Sequence, residues 1–308
     1  MSGLTSWKVE VAAPVRTGLG EGPWWDGQRH RLLWVDITAG RVHAHVPATG
    51  QTSAVELGSP VGFVVGADGG GYVAGIAEGL VRLDGDLDAC GLLAAPPDLA
   101  GERRINDGGC DPAGRVLFGT VDPHGATSGT LWCLWPDGTL VSVLDGIAMS
   151  NGVAFSPDGR RLYYVDSPTQ EVQSFDYDLG TGRLSDRRVL CRVPDAVGLP
   201  DGLAVDAEGG IWLAIWGAGE VWRLRPDGGR VGVVHVPAAC TTSCAFGGAH
   251  RELLYITTAG ECTADADDER PDGALFVANT GFTGARVWSA AIPRSLHHAP
   301  VGVPDTEI

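Results

Sequence analysis

An all-β fold, a six-bladed β-propeller with four antiparallel strands per blade, is predicted by three features of the sequence. A strand-and-turn signature repeats six times along 308 residues. Each unit continues with a third and a fourth strand-like run, whose Gly-rich connections suit hairpins. No segment of useful length carries the 3.6-residue period of an amphipathic helix.

The signature is an apolar run, a Gly/Asp turn, then a β-branched or aromatic run, as in "NGVAFSPDGRRLYYVDS" and "DGLAVDAEGGIWLAIW". Units start at Glu21, Val61, Asn106, Asn151, Asp201 and Thr242. Four strands at a period near forty-five residues describe a propeller blade, and six blades close a ring about a central channel. The chain 1–308 is therefore expected to be one domain. The last unit is short of a fourth strand, so "WKVEVAAPV" (7–15) is expected to join "GALFVAN" and "ARVWSAA" and close the ring between the termini. Residues 290–308 are expected to form a mobile tail.

Composition narrows the function. The chain is 44% apolar with 46 Gly, enough for a large core threaded by tight turns. Its formal charge is −16 and it has no run of Lys or Arg, which argues against a nucleic-acid or anionic-membrane partner. No signal peptide or long apolar span is seen, so a cytoplasmic protein is expected. The seven cysteines include no CxxC pair, and reduced core thiols are expected. The acidic stretch "ADADDER" (264–270) lacks the spacing of an EF-hand and reads as a solvated loop. Closed propellers lack free sheet edges, so a monomer is the expectation.

The candidate site emerges from the repeat. Asp26, Asp111 and Asp206 each begin the first hairpin turn of their unit, five residues after Glu21, Asn106 and Asp201. Asn151 stands five residues before Ser156 of "SPDG". Glu21, Asn106, Asn151 and Asp201 thus share one position at the head of the innermost strand and should converge at one mouth of the channel. Two carboxylates and an amide oxygen (Glu21, Asp201, Asn151) repel or stay protonated unless a cation is bound. Oxygen ligands favour one hard divalent ion and leave Ca²⁺, Mg²⁺, Mn²⁺, Zn²⁺ and Fe²⁺ open. The bland alternative makes "SNG" and "PDG" ordinary turns and Glu21 a surface acid. Arg104 and Asn106 in "GERRINDGG" can face the same opening and suit a polyhydroxylated ligand. Asp36, Asp122, Asp166 and Trp216 end the second strands at that mouth, where a hydrogen-bonded structural role is the simpler reading for each. No GxSxG elbow supports a serine hydrolase.

Six ordered motifs, "GEGPWWD", "RINDGGCDPAGRVLFGT", "SNGVAFSPDGRRLYYVDS", "FDYDLGTGRLSDRR", "PDGLAVDAEGGIWLA" and "TTSCAFGG", together resemble the SMP-30/gluconolactonase (regucalcin) family from about residue 18 to 280. The resemblance implies a six-bladed propeller that hydrolyses sugar lactones to aldonic acids with a divalent ion. It also implies Glu21, Asn151 and Asp201 as metal ligands and Arg104 and Asn106 as substrate-binding residues. In animal members a glutamate past the "GT" of the third unit contacts the sugar, and His124 stands there in this chain. The run "GTVD" is instead similar to bacterial pentonolactonase-type members, with Asp122 near the pocket. The expected mechanism has the ion polarise the lactone carbonyl while Asp201 takes a proton from water. Two alternatives remain open: a metal-dependent phosphotriesterase, aryl-esterase or non-sugar lactonase, and a non-catalytic metal-binding or scaffold propeller.

Overall fold

The computed structural model describes residues 4–99, 101–125, 127–260, 262 and 270–293. Among them the only helical element is a 3₁₀ turn at Ser167–Thr169, and no helix is long and apolar enough to cross a membrane. Two short strands, β1 (Thr5–Trp7) and β2 (Glu10–Ala13), precede the first blade. Blade 1 is β3 (Gly20–Asp26), β4 (Arg31–Asp36), β5 (Arg41–Val46) and β6 (Gln51–Glu56). Blade 2 is β7 (Val61–Gly66), β8 (Tyr72–Ile76), β9 (Gly79–Leu83) and β10 (Ala89–Ala94). Blade 3 runs through β11 (Arg104–Cys110), β12 (Val116–Val121), β13 (Gly129–Leu134) and β14 (Leu140–Ile147). Blade 4 follows with β15 (Ser150–Phe155), β16 (Arg161–Asp166), β17 (Glu171–Tyr177) and β18 (Leu184–Arg192). Blade 5 comprises β19 (Leu199–Val205), β20 (Ile211–Trp216), β21 (Glu220–Leu224) and β22 (Arg230–His235). Blade 6 adds β23 (Cys240–Gly247), β24 (Leu253–Ala259) and β25 (Leu275–Asn279).

The first strand of each blade touches the first strand of the next, and β23 returns to β3, so the ring closes. As the sequence predicts, an N-terminal strand completes blade 6: β2 pairs antiparallel with β25. In addition β1 lies parallel to β22 as a fifth strand of blade 5. The stretch "ARVWSAA" is not a strand of that blade. It forms a strap across the lower end of the channel, where the hairpin turns lie. Ala285 N donates to Val205 O, Ala290 N to Gly66 O and Ala291 N to Gly114 O, each within 2.9 Å. The expected mobile tail is therefore corrected at its start: Ala290 and Ile292 are fully buried, and the Arg82 guanidinium holds the Ile292 carbonyl at 3.0 Å. Residues 294–308, with His297 and His298, lie outside the described residues, as does most of the "ADADDER" stretch.

The turn acids are structural. One oxygen of Asp111 closes the turn onto the Ala113 and Arg115 amides, and the other meets the Arg115 guanidinium and the Tyr177 hydroxyl. Asp206 does the same with the Glu208 and Gly210 amides, then with Trp212 Nε1 and Arg223 Nε at 2.9 Å. Asp26 pairs with Tyr72 and Arg31. Each buried charge is thus neutralised and fully hydrogen-bonded.

The thiols differ from the sequence expectation. Cys240 and Cys262 form a disulfide, with Cα atoms 5.9 Å apart. The sequence expectation is reduced thiols throughout, and no spacing along the chain singles out this pair. In the ladder, however, Cys240 lies opposite Ala259, which brings the residues just past β24 to its side.

Axial packing leaves no space at several glycines. A Cβ on Gly62 would stand 2.5 Å from the Ile105 carbonyl oxygen and 2.7 Å from that of Asn106. Gly62→Ala should therefore push β7 from β11 and cost roughly 1–3 kcal/mol. The urea midpoint should fall accordingly, and an unchanged midpoint would refute close axial packing at this level.

Candidate functional site

Every innermost strand slips its ladder near its head. The breaks fall at Glu21/Trp24, Val61/Phe63, Ile105/Asp107, Asn151/Val153, Pro200/Leu203 and Thr241/Ser243. A bulge frees the residue at the break from the pleat and re-aims its side chain. The following residue is glycine after Glu21, Val61, Asn151 and Asp201. Those glycines serve contact between blades: a Cβ on Gly152 would meet the Asp201 carbonyl at 2.8 Å, and one on Gly202 would strike Ser243. The Gly of "PDG" (200–202) is a close-approach residue within β19, and Asp201 is free to face the channel.

The four site residues meet at this neck, all buried. A directed chain of hydrogen bonds runs through two of them, Asn106 and Asn151. Arg104 Nη1 donates to Asn106 Oδ1 at 2.6 Å, and Asn106 Nδ2 donates to Asn151 Oδ1 at 2.8 Å and to the Ser150 carbonyl at 2.7 Å. Asn151 Nδ2 donates to Ser167 Oγ, which donates to the Pro200 carbonyl, both at 2.7 Å. With one N–H given to Ser167 and its oxygen accepting from Asn106, the Asn151 amide orientation is set, and the oxygen keeps a second lone pair for the channel. Asn106 has both amide donors engaged, and it acts in the chain as a connector as well as a rim residue.

Burial and neighbouring carboxylates set the electrostatics of the neck. Glu21 is pushed well above the carboxylate range, first by burial and then by Asp107, against the Gly22 amide and the Arg104 charge. Asp201 is likewise raised well above the carboxylate range, by burial, then Glu21, then Asp107. Asp107 is pushed up to about 7 by burial. Asp201 Oδ1 is buried with no hydrogen-bond partner, and such an orphaned acceptor calls for an explanation. Among the described residues no three His, Cys, Asp or Glu side chains converge closely enough to hold an ion on their own. The donor set therefore needs the Asn151 amide oxygen beside Glu21 and Asp201, and with it the residues fit a divalent cation bound by oxygen.

The remaining sequence candidates divide. Asp36 binds the Gly18 and Leu19 amides and Asp166 binds those of Ala148 and Met149, so both clamp the loops that lead into innermost strands. Asp122 accepts from the His124 amide at 2.9 Å and faces Arg103 at 3.5 Å. The His124 ring is exposed and lies 2.8 Å from Glu102. Neither Asp122 nor His124 bonds to the central chain among the described residues. Trp216 closes β20 as the partner of Leu199. Two participants escaped sequence reasoning. Asp107 left a signal, because it stands where four other units carry Gly and the sixth carries Ser243. Ser167 left none, since its role exists only across blades 4 and 5.

Without a cation, these raised carboxylates hold protons more tightly in the folded than in the unfolded chain. Their stabilisation is complete below the unfolded value near 4 and is lost as pH rises through about 7 for Asp107 and about 8 for Glu21. In EDTA the urea midpoint should therefore drop between pH 5 and pH 8. Each such carboxyl weakens the fold by about 1.4 kcal/mol for every pH unit crossed in that window. Glu21→Gln should flatten this slope.

A family model described as SMP-30/Gluconolactonase/LRE-like region matches residues 19–260. Human regucalcin is 36% identical over 285 residues, covering 90% of this chain and 93% of that protein. A calcium-binding regucalcin structure from Agrobacterium tumefaciens superposes with a TM-score of 0.88 at 26% identity, covering 94% of this chain and 99% of the other. A luciferin-regenerating enzyme gives 0.85 at 28% identity over 92% of this chain and 99% of its own.

Proposed function

Because the chain belongs to the SMP-30/gluconolactonase/LRE-like family, we propose that it is a divalent-metal-dependent lactonase that opens a sugar lactone to the aldonic acid. The family suggests lactonase activity, and the observation that carries the finer reading is the buried, unpartnered Asp201 Oδ1 beside Glu21. Glu21, Asn151 and Asp201 would hold the ion. The calcium-binding relative agrees with a divalent cation but leaves open which one serves this chain. Bound there, the cation would act as a Lewis acid toward the lactone carbonyl and the oxyanion that follows.

The chain's own side chains supply the rest. Asp201 ionises when a cation neutralises its neighbourhood, and its free oxygen accepts the proton of the attacking water. Ser167 and Asn106 keep the Asn151 oxygen turned inward, as outer partners of a metal site do. Arg104 spends one nitrogen on Asn106, and its remaining N–H donors are unbonded among the described residues. These are available to sugar hydroxyls. Asp122 and His124, on the loop beyond β12, would meet the far end of the substrate. The strap crosses the lower end of the channel, so the upper mouth would serve as the way in for substrate and out for product.

Initial rates of acid release from five- and six-membered sugar lactones, on EDTA-stripped protein with each metal restored, test this reading after spontaneous opening is subtracted. Turnover should require the added metal. Asp201→Asn should lower kcat by at least a hundredfold, in line with the usual contribution of a general base. Near-normal activity of that variant would remove Asp201 as the base. Background rates with every metal would remove the sugar-lactonase assignment and move attention to phosphotriesters, aryl esters and non-sugar lactones.

A further inference from the structure

Each proposed cation ligand follows a carbonyl that a neighbouring blade holds. Thr242 Oγ1 of β23 donates to the Gly20 carbonyl at 2.5 Å, one residue before Glu21. Asn106 Nδ2 of β11 donates to the Ser150 carbonyl at 2.7 Å, one residue before Asn151. Ser167 Oγ, just past β16, donates to the Pro200 carbonyl at 2.7 Å, one residue before Asp201. In all three the donor belongs to the blade that comes before in the ring: blade 6 for blade 1, blade 3 for blade 4, blade 4 for blade 5. Pro60 and Thr241 precede Val61 and Thr242, and among the described residues no side chain bonds to their carbonyls. The Ile105 carbonyl, before Asn106, takes a side-chain bond only from Arg104 of its own strand, at 3.3 Å. The clamps from a neighbouring blade thus fall on Glu21, Asn151 and Asp201 alone among the six equivalent positions.

The ladder explains why these carbonyls need a holder. In blades 1 and 4 the residue before, Leu19 or Met149, spends its carbonyl across the hairpin, on Ile37 N at 3.0 Å and Ser167 N at 3.2 Å. The next carbonyl of an antiparallel strand then points away from its partner, toward the neighbouring blade. Buried there, it requires a donor. One residue further the ladder breaks, at Glu21/Trp24 and Asn151/Val153. A bond to the carbonyl fixes the peptide plane, and with it the direction of the side chain that follows. Thr242 is fully buried, and its oxygen also lies 2.8 Å from Thr257 Oγ1 of β24, which anchors the clamp within blade 6.

We propose that Thr242 is a positioning residue for Glu21, holding from blade 6 the peptide that aims the Glu21 carboxylate, as Asn106 does for Asn151 and Ser167 for Asp201. The proposal rests on the reading above that these three residues hold a divalent cation. Thr242 touches no reacting atom and reaches the ion only through Glu21.

Calorimetric titration of EDTA-stripped protein with Ca²⁺ and with Mn²⁺ tests the role without turnover. Thr242→Val keeps the shape and removes the donor. Its affinity for both ions should fall about tenfold, the low end for outer partners of a metal site. Thr242→Ser returns the hydroxyl and should recover most of that loss. Thr241→Val is the control. Thr241 is equally buried, and its hydroxyl bonds at 2.8 Å to the Ile215 and Glu220 carbonyls of blade 5, neither of which precedes a ligand. Its urea midpoint should fall while its ion affinity stays unchanged. Wild-type affinity in Thr242→Val, a serine variant as weak as the valine one, or an equal loss in Thr241→Val would overturn the positioning role and leave the cation reading standing. Should Thr242→Val not fold, Thr242→Cys offers a group of similar size with a much weaker donor and is read in the same way. Wild-type protein that binds neither ion removes the cation site, and this proposal with it.

Discussion

The six innermost strands approach one another so closely at the neck of the channel that a Cβ has no place between them. Gly62 lies against the backbone of β11, Gly152 against that of β19, and Gly202 against Ser243 of β23. That contact closes the ring, and it forces each strand to bulge where the next blade presses in. The bulge in turn detaches one side chain per blade from the pleat. Ring closure and site assembly are thus the same event. Where that residue is polar it is buried at the neck, as Glu21, Asn106, Asn151 and Asp201 are, whereas the apolar Val61 packs into the core with Leu33 and Val35.

Facing the axis is costly for an acid, and the surrounding structure answers in two different ways at the two ends of the same strands. At the lower end Asp26, Asp111 and Asp206 are each met by a guanidinium and an aromatic donor. At the upper end burial and neighbouring carboxylates raise Glu21 and Asp201, with Arg104 as the cation acting on Glu21. The first arrangement is satisfied within the protein and stabilises turns. The second is left electrostatically open, and that openness distinguishes a binding site from a structural ion pair. The chain Arg104–Asn106–Asn151–Ser167 crosses from blade 3 to blade 4 and ends on blade 5, so its geometry depends on the ring being closed.

The strap gives the channel its polarity. By bonding to Val205, Gly66 and Gly114 it ties blades 5, 2 and 3 together below the axis. The cavity above it is small and partly apolar, lined by Val65, Phe155, Leu203 and Phe246.

The repeat is legible in the sequence because a propeller writes the same local instructions six times: a strand, an Asx-type turn and a second strand recur with fixed offsets. Those offsets alone align Glu21, Asn106, Asn151 and Asp201, and they predict closure by an N-terminal strand. The same offsets also set Asp107 apart, as the only acid one step past the ring position. What the sequence could not carry was anything set by contacts between distant segments. The strap formed by 285–291, the bond from Cys240 to Cys262, the Ser167 link and the occupied donors of Asn106 all depend on which blades become neighbours. Residue identity and spacing decide which side chains reach the neck. Tertiary closure decides which of their atoms remain free, because hydrogen-bond partners there come from other blades.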